Sequence, residues 1–286
     1  MSKLSEPLKQ LINAAHAVPG TLKAPPNIRS TYSRIAASAQ GRGVGVPAWV
    51  TISTAATMTM NSPGSLVELF NLASTVPSSP LSAPETAGLM REAGLKCISF
   101  NGIPRSINCL GAFREGLPRD VFDAIPPPAS RKVDSSNADE AMARGRATWD
   151  SIYRPFEVKL LNKLAQSHPN LPVHILAGHY ATVLSDPEPA PGTEAFKVGR
   201  VLTSVVGISC LRAQTGVGPQ VTSHVFGLRK AYQDGTAEKD VEGGEWLASD
   251  EGNQWILNVV DEIVQALGEG RGSSFAPGMQ GVKPKL

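Results

Sequence analysis

Apolar positions recur at three- and four-residue intervals along most of the chain, while stretches with the two-residue alternation of a half-buried strand are few. Leu4, Leu8, Leu11, Ile12 and Ala15 predict a short amphipathic helix within residues 3–17, closed by Pro19-Gly20, and a polar, basic connection follows. From Pro47 the run AWVTISTAATMTM is apolar without a clear period. Its Thr, Ile and Val would suit a strand, but its Ala and Met and its helical neighbours favour a buried helix. Asn61-Ser62-Pro63-Gly64 stops that helix, and Leu66, Leu69, Phe70 and Ala73 restart the period before a Pro/Ser loop at 77–84. Pro84 opens the next helix, with Glu85 in the first turn where a negative charge suits the macrodipole. It is expected to reach about Phe100, where Asn101-Gly102 breaks it, and Pro104 begins another carrying Ile107, Leu110 and Phe113 up to Gly116.

Pro126-Pro127-Pro128 and its polar surroundings mark a linker, taken as 118–147. Beyond it Trp149, Ile152, Tyr153, Phe156, Leu160 and Leu164 step at helical spacing, with Pro155 either kinking this helix or opening its first turn. Leu171 to Leu184 predicts a buried helix, and 194–212 with 219–232 a helical hairpin. Ser249 is positioned to cap a last helix bearing Trp255, Ile256, Val259, Val260, Ile263 and Leu267. Residues 268–286 are Gly/Pro-rich and expected to be disordered. The fold class predicted is all-α.

With 286 residues, 41% of them apolar, the chain can bury a substantial core. Its net charge of +2 is too small to imply nucleic acid as a partner. No run of about 18 apolar residues occurs, so no membrane span is expected. Residues 1–45 carry six Lys/Arg against Glu6 alone, a basic start that could be a targeting arm. Its acid and its lack of Arg before Arg29 weigh against a cleaved transit peptide, so an uncleaved intracellular protein is expected, cytoplasmic rather than mitochondrial. Cys97, Cys109 and Cys210 form no CxxC and no short-spaced cluster, and each has apolar neighbours, as buried hydrophobes do. His174 and His179 lie five apart, about 140° on an α-helix, so they are not expected to chelate from one face. GxSxG, GxxxxGK[ST] and HExxH are absent.

The stretch Gln214–Ala231, QTGVGPQVTSHVFGLRKA, joins a glycine turn to a helix start at Pro219. Val221, Val225 and Leu228 recur on one face with His224 among them, so His224 should point inward.

Two segments together resemble the carboxymuconolactone decarboxylase and alkylhydroperoxidase D (AhpD-like) superfamily. One is Phe100-Asn-Gly102-Ile-Pro104-Arg-Ser-Ile-Asn108-Cys-Leu110, similar to its aromatic-x-Gly-x-Pro-x-x-x-Asn-x-Leu stretch. The other is the opening of the His224 helix, similar to a helix start bearing Cys-x-x-Cys-x-x-x-His. Matching His224 to that histidine puts Val217 and Gln220 at the cysteine positions, and the glutamate that peroxidase members use falls at Val205. The resemblance therefore implies an AhpD-like helical fold in two degenerate copies, 46–117 and 148–267, without the redox pair.

In members with the pair, a thiolate attacks peroxide and its partner resolves the sulfenic acid. Neither position holds sulfur here. In the decarboxylase branch a histidine can move a proton on a small carbonyl or carboxylate compound. The resemblance gives that role to His224, with Gln220 one turn earlier and Arg212 or Arg105 as substrate-binding candidates. It also implies a homo-oligomer, for which tandem duplication could substitute. No cofactor and no metal are implied. A core histidine on a non-catalytic binding or assembly module stays open, as does an unrelated helical scaffold.

Overall fold

Proline placement, caps and apolar period set most of the elements. The structure, a computed structural model, describes residues 4–15, 21–77 and 79–269. Among the described residues every regular element is helical, which makes the protein all-α. The first half contains α1 (Glu6–Ile12), α2 (Ile28–Gln40), α3 (Val46–Thr59), α4 (Pro63–Ala73), α5 (Ala83–Lys96), α6 (Ile98–Asn101), α7 (Ile103–Gly116) and α8 (Arg119–Asp123). The second contains α9 (Ala138–Tyr153), α10 (Glu157–Ser167), α11 (Leu171–His174), a π-helix (Ile175–Leu184), a 3-10 turn (Glu194–Phe196), α12 (Gly199–Gln214), α13 (Gly218–Gln233), α14 (Gly244–Ala248) and α15 (Asp250–Gly268).

Pro47, Pro63, Pro84, Pro104 and Pro219 each sit in a first turn, where the missing N–H breaks no helical hydrogen bond. Ser82 and Glu85 form a capping box on α5: Ser82 Oγ accepts from Glu85 N (3.4 Å), and the Glu85 carboxylate accepts from Ser82 N (2.7 Å). Ser249 Oγ accepts from Gly252 N (3.0 Å) and caps α15 as its sequence predicts.

Helices α3 and α12 are buried along nearly their whole length and pack against each other, with α2, α4, α5, α7, α13 and α15 around them. One buried cluster runs from Ile28 to Leu267 and draws on both sides of the expected linker. A smaller cluster of Trp149, Ile152, Tyr180 and Leu184 joins α9 to the π-helix. There a Cβ on Gly145 would meet the Ala181 backbone at 2.5 Å, so the two helices approach as only glycine allows.

The helices depart from expectation in specific places. Residues 28–40, expected as a connection, form α2, whose Ile28, Tyr32, Ile35 and Ala39 turn inward between polar neighbours. Pro155 lies between α9 and α10 rather than inside a helix. Leu171 to Leu184 is mainly a π-helix, and Ile107, expected on a core face, is 66% exposed while Cys109 and Phe113 point in. The stretch 118–147 contains α8 and the start of α9, and Arg131 pins it to the body through Glu92 (3.1 Å) and Asp186 (2.8 Å). The expected tail lies, from residue 270 on, outside the described residues, as does His16. No helix among the described residues is long and apolar enough to cross a membrane.

Candidate functional site

Helix α12 ends at a turn in which Thr215 (φ 64°) and Gly216 (φ 72°) reverse the chain, and α13 returns along α12 and against α9. That return carries His224 into the interior, where it is 4% exposed. Phe100 and Tyr153 meet its ring edge-to-face, with centroids 5.5 and 6.2 Å away. Its Nδ1 has no hydrogen-bond partner. Burial, and secondarily the Arg200 cation, push its pKa down to about 4, so the imidazole is neutral at physiological pH.

Arg200 ties three helices around this ring. Its Nε donates to Ser151 Oγ (2.6 Å), Nη1 to Ser204 Oγ (2.6 Å), and Nη2 to the Ser151 and Gly227 carbonyls (3.1 and 2.8 Å). Burial lowers its pKa to about 10 against the opposing pull of Glu238, so it stays charged at neutral pH. Glu238 also accepts from the backbone N–H of Arg200 and of Val201 (3.0 Å), capping α12 from a distance. Beside them Tyr180 OH donates to Tyr153 OH (3.1 Å), and burial raises the pKa of both phenols. Trp149 packs on Tyr153 with centroids 4.2 Å apart. The result is a buried neutral imidazole and a buried phenol beside a cation and a second phenol that are half-buried.

The expected site residues do not converge on His224. Gln220 is exposed on α13. Arg212 is exposed and held bidentately by Asp261 (2.8 and 2.6 Å), on a groove of ≈ 450 Å³ with Thr215, Gly216, Val217 and Gln265 that His224 does not line. Arg105 is half-buried and donates to the Thr59 carbonyl. Gln220 shares a face of α13 with His224 but lies in the first turn, at the end of the helix, where it meets solvent.

Phe100 and Tyr153 contact the imidazole instead, Arg200 acts on it electrostatically, and Tyr180 reaches it only through its hydrogen bond to Tyr153. Tyr153 reads from sequence as a core residue, and Arg200 carries one local signal: a cation in the first turn of α12 opposes the macrodipole and so calls for a compensating partner, here Glu238. The partner is 38 residues away and not legible locally.

Cys97, Cys109 and Cys210 are all fully buried, as expected of small hydrophobes. Asn101 Nδ2 lies 3.9 Å from Cys210 Sγ. The Cys210 thiol beside it, and burial, hold the Cys97 pKa well above the usual thiol range, and burial pushes Cys109 up to about 12. Thiols so placed are the opposite of a reactive thiolate. Among the described residues no group of three or more His, Cys, Asp or Glu is placed to hold a metal.

No family model matches the chain, and no solved structure matches it. The chain is similar to Peroxisomal protein 2 of Saccharomyces cerevisiae, with 30% identity over 178 residues, 55% of this chain and 58% of that protein. It thus spans less than two thirds of the length of this relative.

Proposed function

We propose that this chain is a helical protein of carboxymuconolactone decarboxylase type that lacks the redox cysteine pair, in which His224 moves a proton on a small carbonyl or carboxylate compound. The observation that carries this is the buried imidazole with an unpartnered Nδ1, in contact with Tyr153 and within the field of Arg200, on the helix where the resemblance sets the family's histidine. Gln220 and Arg212 are no longer part of it, because they face solvent elsewhere.

A base whose conjugate acid has a pKa near 4 is weak, so the substrate must help it. A carboxylate brought beside the ring would favour the imidazolium and raise that pKa. In decarboxylation the bond to the departing CO2 breaks, its electron pair enters a conjugated carbonyl, and a proton is returned to the carbon left behind. The neighbouring phenols would donate to the oxygen on which charge develops. Peroxidase chemistry has no counterpart here, since Val217 and Gln220 stand at the cysteine positions and the three thiols are buried.

The two-copy arrangement of 46–117 and 148–267 and a homo-oligomer belong to the same proposal. The GIPRSIN segment at the start of α7 and the α12–α13 turn support the first.

A non-catalytic binding or assembly module competes, favoured by the 4% exposure of His224. Thermal shift of the full chain with a panel of small carboxylates and lactones, together with CO2 release, separates the two. Ligand-dependent stabilisation and turnover, both lost in His224→Gln, are expected. Stabilisation without turnover would leave the binding role, and neither response would remove the site.

The name of the yeast relative supports a peroxisomal address for this chain, against the cytoplasmic one expected from sequence. A fluorescent fusion scored against a peroxisomal marker decides between them.

A further inference from the structure

The π-helix brings together two histidines that an α-helix would separate. Its hydrogen bonds join residues five apart, so positions i and i+5 stack on one face. His174, the residue leading into it, and His179 accordingly meet with ring centroids 5.3 Å apart and planes at 89°. Two imidazoles bound to one tetrahedral zinc, at about 2.0–2.1 Å from each nitrogen, hold their ring centres about 5 Å apart. The observed spacing is that of a chelating pair.

The surroundings favour the same use. A Cβ on Gly178 would lie 3.0 Å from His174 Cε1, so glycine is what lets this ring lie along the helix surface. His179 Nδ1 is 3.1 Å from Ser99 Oγ, which fixes the inner ring and leaves Nε2 for a ligand, as outer-shell partners of metal-bound histidines do. His174 is exposed and gives access from solvent.

We propose that His174 and His179 form a two-histidine site for a borderline divalent transition metal, Zn(II), Cu(II) or Ni(II), with Ser99 positioning the inner imidazole. Since no third His, Cys, Asp or Glu among the described residues completes the set, the remaining positions go to water or to an exogenous carboxylate. This site is separate from the His224 proposal and does not depend on it, although Tyr180 and Phe100 are the next residues along the chain from His179 and Ser99.

The test is calorimetric titration of the full chain with ZnCl2, and electron paramagnetic resonance with one equivalent of Cu(II). One metal per chain is expected, with hyperfine coupling to two imidazole nitrogens. His174→Gln and His179→Gln should each weaken binding about tenfold or more and leave one coupled nitrogen. His168→Gln and His16→Gln should bind as the parent does. Because His174 is exposed, its variant keeps the fold and decides the matter even if His179→Gln is unstable. Parent-like affinity in His174→Gln, or equal losses in the two control variants, would overturn the proposal.

Discussion

A Cβ placed on Gly207 would lie 2.5 Å from His224 Nδ1, so α12 omits a side chain where α13 delivers an imidazole. In an ordinary helix Gly→Ala stabilises by about 1 kcal/mol. Here the added methyl meets a ring in a packed interior, an overpacking that costs about 1–3 kcal/mol. Gly207→Ala is therefore expected to lower stability, and His224→Ala in the same chain should recover at least about 1 kcal/mol of coupling in a double-mutant cycle. Additive urea-unfolding free energies would show that the two residues do not share this space.

The depressed pKa of His224 makes stability depend on pH. Above about 6.5 the imidazole is neutral in both folded and unfolded chains. Between there and about 4 the unfolded chain binds a proton that the folded one refuses, so stability falls as pH drops. From pH 7.5 to 5 this contribution amounts to about 2 kcal/mol, and His224→Gln should flatten the profile by that amount. An unchanged slope in the variant would mean that the ring is hydrated or paired in solution.

Lys96 is fully buried and reaches Asp186 (2.9 Å), the Leu184 carbonyl and Thr203 Oγ1 (3.0 Å). Burial pulls its pKa down against Asp186. Burial would raise that of Asp186, but Lys96 and Arg131 overcome it and hold the carboxyl below its usual value. Asp186 also accepts from Gly199 N (2.8 Å), so one carboxylate serves three donors. Removing it leaves a buried cation, and Asp186→Ala should cost about 3–5 kcal/mol. Lys96→Met leaves Asp186 paired with Arg131 and should cost clearly less. Chemical-denaturation midpoints in the reverse order would contradict this ranking.

The buried thiols predict chemical silence. In the native chain an aromatic disulfide reagent should label none of Cys97, Cys109 and Cys210, and all three should react after denaturation. With an organic peroxide and a dithiol reductant no cysteine-dependent turnover is expected. Turnover abolished by Cys210→Ser would show that a redox function persists.

Much of the helical framework was legible because its causes are local. Ser82 with Glu85, Ser249, and the prolines of the first turns act within a few residues of themselves, and the 3.6-residue period marked the buried faces of α4, α13 and α15. Helix α2 is not legible in this way because its inward apolar residues stand among polar ones in a segment that reads as basic connection. The inward aim of His224 was legible from Leu228 on the same face. Its neighbours were not, because Phe100, Tyr153, Arg200 and Gly207 come from three other helices.

An all-helical chain, an inward histidine, three thiols without a partner motif, and the lack of cysteine at positions 217 and 220 are all readable along the chain. Those properties depend on residue type and short spacing. Only the tertiary structure decided which groups share an environment: Arg200 with Glu238, Lys96 with Asp186, and Gly207 with His224. It also decided the winding of residues 175–184, which lie against α9 as a π-helix, a rare form that their apolar pattern does not distinguish from an α-helix. That choice moved His174 and His179 from opposite sides of a helix to a common face.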